Sequence, residues 1–113
     1  MENKEIYLTK ENFGLYPSDI SKIIKVFEEF SEIEEVMIFG SRTKGNYKKY
    51  SDIDLSLKGQ NLSQKLLFEI ELSLDDLMLP YKFDLNIHNK IGNEELINHI
   101  SRVGKLFYKK IVK

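Results

Sequence analysis

The chain contains no cysteine. Disulfides and thiolate metal sites are thereby excluded, and the absence suits a reducing cytoplasm, the expected location. Long apolar runs are missing too. No segment approaches the length of a membrane span, and the opening MENKEIYLTKENFGLY has no apolar core of signal-peptide length, so no membrane association is expected. There is no marked excess of charge of either sign: 17 basic residues face 18 acidic ones. A formal net charge of -1 argues against a domain held on nucleic acid by bulk electrostatics. No direct nucleic-acid partner is expected, and any affinity for phosphate has to be local. Proline occurs twice, and no internal repeat or low-complexity tract is present. What remains is a chain of 113 residues with ordinary globular composition. It reads as a single domain over residues 1–113, with one core and no room for a second, substrate-holding domain.

Periodicity divides the chain into alternating helices and strands. After YPSD, the residues Ile20, Ile23, Ile24 and Phe27 form the stripe of an amphipathic helix, with Ser18 as the expected N-cap and Pro17 just outside. Residues 35–39, EVMIF, are a short apolar run ending at glycine and predict a buried strand. SDIDLSL alternates strictly, with Ile53, Leu55 and Leu57 on one face and Asp52, Asp54 and Ser56 on the other; Gly59 ends it. Leu62, Leu66, Leu67, Ile70, Leu74 and Leu77 predict a helix that runs until Pro80. KFDLNIH alternates again, with Asp84, Asn86 and His88 on the polar side. A last helix carries Leu96, Ile97, Ile100 and Val103, with Gly104 as its expected C-cap and KLFYK as a short final strand. The expected fold class is α/β (α+β), a small mixed sheet packed by helices, with an acid-bearing face as the working surface.

The acids carry the chemical argument. Residues i and i+2 of a strand lie about 6.5–7 Å apart on one face. Asp52 and Asp54 at that spacing can lean together around divalent cations, and Asp84 can join them if its strand lies near. Hard oxygen ligands without cysteine or a suitably spaced histidine pair favour Mg²⁺ or Mn²⁺ over zinc. A solvated strand face would carry the same alternation. Ten residues before Asp52, the apolar strand ends in Gly40-Ser41. Glycine lets a backbone approach a ligand closely, and the following amides and the Ser41 hydroxyl can cradle phosphate oxygens. A plain turn is the other reading of Gly-Ser. Strand, Gly-Ser, a ten-residue connection and Asp-x-Asp together bring phosphate donors and metal ligands to adjacent strand ends, as nucleoside triphosphate chemistry requires. Arg42, Lys44, Lys48 and Lys49 lie between the two halves, as triphosphate or partner contacts or as a solvated basic loop. Arg42 is the first choice for a bidentate phosphate contact. His88 and His99 have no partner at ligand spacing and are expected to be ordinary surface or hydrogen-bonded residues; for tyrosines 47, 50, 81 and 108 an aromatic platform for a base is one reading and half-buried core residues the expected one.

The stretch GSRTKGNYKKYSDIDL resembles the signature of the nucleotidyltransferase superfamily related to DNA polymerase beta. A chain so short is most similar to the minimal nucleotidyltransferase group, whose members are commonly antitoxins paired with small helical HEPN-domain RNase toxins. The resemblance implies a nucleotidyltransferase fold, with Asp52, Asp54 and Asp84 as catalytic residues and metal ligands for two Mg²⁺ ions. It implies Gly40 and Ser41 as the triphosphate-binding turn and ATP as the donor. The expected reaction is transfer of AMP to a hydroxyl of a partner protein, a HEPN toxin, in a possible homo- or hetero-oligomer. A small-molecule acceptor and an antitoxin acting by binding alone are the alternatives.

Overall fold

Ile53, Leu55 and Leu57 are all fully buried, as the alternation of SDIDLSL requires, and the rest of the sheet is built around them. The computed structural model describes residues 12–111. In chain order it contains α1 (Pro17–Glu28), β1 (Glu35–Phe39), α2 (Ser41–Lys44), β2 (Ile53–Lys58), α3 (Gln64–Asp75), β3 (Phe83–Ile87), a 3₁₀ turn (His88–Lys90), α4 (Glu94–Val103) and β4 (Lys105–Lys109). The strands form one mixed sheet in the order β3-β2-β1-β4. β1 is antiparallel to both β2 and β4, whereas β2 and β3 are parallel. Parallel neighbours need a crossover, and α3 supplies it. The fold is thus mixed α/β, as expected.

One face of the sheet carries the main core. Ile23, Ile24 and Phe27 of α1 and Leu67, Ile70 and Leu74 of α3 pack with Val36, Ile38, Ile53, Leu55, Leu57 and Leu85 of the strands. α4 lies on the other face, where His99 meets the Phe39 ring edge-on at 6.3 Å. On that face β2 and β3 carry Asp54, Ser56, Asp84 and Asn86 in paired register. Among the described residues no helix is long and apolar enough to cross a membrane.

Three expected boundaries differ. Ser18 lies inside the first turn of α1. The N-cap is Tyr16, without a side-chain bond, and Pro17 takes the first helical position, where its missing N–H leaves no bond unmade. α3 is capped by Ser63, whose hydroxyl oxygen accepts from the Leu66 amide at 3.1 Å. It ends at Asp75, well before Pro80, so Leu62, ahead of the cap, and Leu77, beyond the last turn, lie outside it; Met78 then takes φ 58°. Gly104 does follow α4, but in an extended conformation (φ -68°, ψ 147°) rather than a left-handed one.

Candidate active site

The sheet register pairs two acids. Asp54 in β2 stands opposite Asp84 in β3, and opposite Phe39 in β1 on its other side. Partners in neighbouring strands lie about 4.8 Å apart with side chains on the same face. Two carboxylates remote in sequence are therefore neighbours. Gly40 follows Phe39 directly, at φ 83° and ψ -151°. That region is open essentially to glycine alone. A Cβ at Gly40 would also overlap Asp54 Oδ2. The position is glycine for two independent reasons, and the second places the Gly-Ser turn directly against the acid.

From Gly40 the chain enters the single turn of α2. The Gly40 carbonyl accepts from the Thr43 hydroxyl at 2.9 Å and from the Thr43 and Lys44 amides. The amides of Ser41 and Arg42, at the start of the turn, have no carbonyl partner within the helix. They and the Ser41 hydroxyl directly follow Gly40, the residue whose added Cβ would overlap the Asp54 carboxylate.

Asp54 is half-buried, and Asp52 and Asp84 are exposed. Burial, then the charges of Asp84 and Asp52, hold the Asp54 carboxyl above its ordinary range, while Arg42 pulls it back. Among the described residues no three histidine, aspartate or glutamate side chains are drawn together closely enough to form a finished ion site. The donor set is nevertheless all carboxylate oxygen, which fits a hard divalent cation and not a thiophilic one.

Arg42 is put to a different use from the one expected. Its side chain is only 2% exposed. Nη1 donates to the Phe13 carbonyl at 2.9 Å, Nη2 to the carbonyls of Ser51 (2.8 Å) and Lys49 (3.3 Å), and Nε to Ser51 again at 3.1 Å. The guanidinium lies 5.3 Å from the Tyr47 ring centroid and 5.2 Å from that of Tyr81. Tyr81 is held in turn by Asp19, whose Oδ2 accepts from the phenol at 2.9 Å; burial and that bond push the phenol up to about 12. Burial pushes the guanidinium pKa down, while Tyr81, Tyr47, Asp52 and Asp54 oppose the shift. With its donors turned to backbone carbonyls, Arg42 has no fork to offer a phosphate. Lys44, Lys48 and Lys49 are exposed.

Sequence reasoning missed the residues flanking the acids. The Ser56 hydroxyl, fully buried, donates to Asn86 Oδ1 at 2.6 Å, tying β2 to β3 one row below the Asp54–Asp84 pair. The alternation that revealed the acids also contained this row. His88 lies in the 3₁₀ turn beyond β3, where burial and then Lys58 keep its pKa below the usual value.

Residues 21–111 match the family described as polymerase beta, nucleotidyltransferase. The chain belongs to that family. The solved structures similar to this nucleotidyltransferase domain agree in fold. One is a toxin–antitoxin crystal structure with AMP-PNP, at TM-score 0.66 and 22% identity, covering 80% of this chain and 73% of that one. Another is a complex of tri-AMPylated Shewanella oneidensis HEPN toxin with MNT antitoxin, at TM-score 0.61 and 19% identity, covering 82% and 71%. A third is a putative nucleotidyltransferase from Sulfolobus solfataricus, at TM-score 0.53 and 23% identity, covering 80% and 78%. No curated protein sequence matches the chain.

Proposed function

We propose that the protein transfers AMP from ATP to a hydroxyl of a partner protein, and that the partner is a small helical HEPN-domain toxin silenced by the modification. The observation that carries the reading is the Asp54–Asp84 register pair set against the Gly40 turn, in a chain of the polymerase beta nucleotidyltransferase family. The similar toxin–antitoxin structures, one with AMP-PNP and one with an AMPylated toxin, support the choice of nucleotide and acceptor.

In this reading Asp52, Asp54 and Asp84 would hold Mg²⁺ or Mn²⁺, which when bound supplies charge neutralisation for the triphosphate and a more acidic acceptor hydroxyl. The Ser41 hydroxyl and the amides of Ser41 and Arg42 bind the triphosphate and stabilise charge on the departing pyrophosphate. The acceptor oxygen forms a bond to the α-phosphorus as the bond from that phosphorus to the β-bridging oxygen breaks. The hydroxyl proton passes to Asp84, the most exposed edge of the acidic pair. Asp52 and Asp84 are exposed, so the partner would exclude water while presenting its hydroxyl.

The test is to incubate the protein with its candidate HEPN partner, ATP and Mg²⁺, and to weigh both chains intact. AMP should appear on the partner, should be absent with Asp54→Ala, and should accumulate as RNase activity falls. Silencing by Asp54→Ala with no change in mass would establish inhibition by binding alone. AMP transfer to a small hydroxyl compound and not to the protein would establish the other acceptor class.

A further inference from the structure

A buried guanidinium that meets carbonyls instead of a carboxylate is an expensive way to fill space, and an apolar residue would serve stability as well. What Arg42 holds explains its presence. The segment from Gly45 to Asp52 has no helix or strand, and its side chains are exposed from Gly45 to Tyr50. It joins the Gly40-Ser41 turn to the acids. Arg42 sits at the start of this segment and grips the carbonyls of Lys49 and Ser51 at its end, the second being the residue before Asp52. A fourth bond, to the Phe13 carbonyl, fixes the guanidinium to the body of the domain, at a residue with φ 54° next to Gly14 at φ 74°. The rings of Tyr47 and Tyr81 both pack within cation–π distance of it.

We propose that Arg42 is a positioning residue for Asp52: its fork closes the loop of residues 45–51 on itself and fixes where the chain delivers the first acid beside Asp54 and Asp84. This rests on the reading of those acids as the nucleotidyltransferase site. Repulsion among three carboxylates drives Asp52 outward into a loop with no ladder to resist it. The clamp resists it mechanically, and its positive charge opposes it electrostatically. Lysine keeps the charge but carries one ammonium, which cannot span carbonyls at Phe13, Lys49 and Ser51 together.

Two measurements on Arg42→Lys test this, with Lys48→Ala as a control that removes an exposed loop charge without touching the clamp. The first is amide hydrogen exchange of the metal-free protein. Losing even one charge-assisted bond should speed exchange of residues 48–53 by about tenfold or more, while Leu55–Leu57 remain slow. The second is the Mn²⁺ concentration that half-saturates the thermal shift, without nucleotide. It should rise by about tenfold or more in Arg42→Lys, the scale seen when an outer support of a metal ligand is lost. Lys48→Ala should stay within about twofold. Unchanged exchange in folded Arg42→Lys, or equal Mn²⁺ responses in the two variants when the wild type does respond to Mn²⁺, overturns the proposal. A wild-type protein indifferent to Mn²⁺, with faster loop exchange in Arg42→Lys, supports the clamp and removes the metal reading instead. If Arg42→Lys does not fold, Tyr47→Leu strips one ring from the guanidinium, and exchange should rise by about two- to fivefold. No rise in that variant also overturns the proposal.

Discussion

Asp54 is the residue at which the active-site reading meets stability most directly. Its carboxylate faces Asp84 across one strand spacing and has Asp52 nearby. Two unit charges about 5 Å apart repel by about 3 kcal/mol at an effective dielectric of 20 and by about 0.8 kcal/mol in bulk water. Asp84 is exposed and the side chains can splay, so the lower end applies, about 1 kcal/mol. Asp54→Asn removes this repulsion at nearly constant shape. In EDTA at neutral pH the variant should therefore be more stable than the wild type, by about 4–8 °C in thermal midpoint for a domain near this size. The sign in pH follows from the same cause. Because the folded state holds the Asp54 proton more tightly than the unfolded chain does, the penalty is complete above the folded-state pKa. It fades as pH falls through that value and is gone below the ordinary aspartate range. The advantage of Asp54→Asn should shrink accordingly on acidification. Mg²⁺ at about a hundred times its dissociation constant would stabilise the wild type by about 2.7 kcal/mol and should reverse the order of the two proteins. Scanning calorimetry or fluorimetry in EDTA and in Mg²⁺ reads both effects. A metal-free Asp54→Asn protein less stable than wild type would mean that the carboxylate makes a favourable contact, and the crowding argument would be wrong.

Three further outcomes follow from the site and its supports. Ser41→Ala should lower kcat for AMP transfer by about ten- to a thousandfold, the scale of losing one preorganised donor, with the fold intact by circular dichroism. Gly40→Ala forces a side chain into a glycine-only conformation and against Asp54, so it should lose about 1–3 kcal/mol in urea denaturation and, with it, metal-dependent stabilisation. Tyr81→Phe removes the bond to Asp19 and should cost about 1 kcal/mol by the same assay, with AMP transfer largely retained.

The acids were legible because a strand writes its faces into every second residue. Asp54 and Asp84 each stand out against buried neighbours, and the apolar partners Leu55 and Leu57, Leu85 and Ile87 are buried as read. That the two strands are adjacent, parallel and in a register opposing the two acids was not legible, because pairing depends on α3 packing and not on any local pattern. Gly40 was read as the place where the backbone approaches a ligand; in the structure the side chain that stands against it is Asp54. Arg42 was misjudged for the same reason. Its acceptors at Phe13 and at Lys49 and Ser51 come from two places along the chain, and nothing in RTK distinguishes a buried guanidinium from a solvated one. The caps failed locally: Ser18 and Ser63 are both serines before apolar stripes, and only Ser63 is used, because Pro17 had already set the start of α1.

The strand order has a consequence for biosynthesis. β1 pairs with β2 on one side as soon as the motif loop is made, but its other side is covered only by β4, the last of the four strands to be synthesised. Until Lys105–Lys109 is available, the apolar run Val36–Ile38 presents bare amides and carbonyls along a β-edge, a template for pairing with another chain. β4 carries a lysine at each end and a register shift opposite Val36 and Met37, features that mark a protected outer strand. Mutations that weaken β4 should therefore reveal themselves less as lost activity of the folded protein than as aggregation during expression.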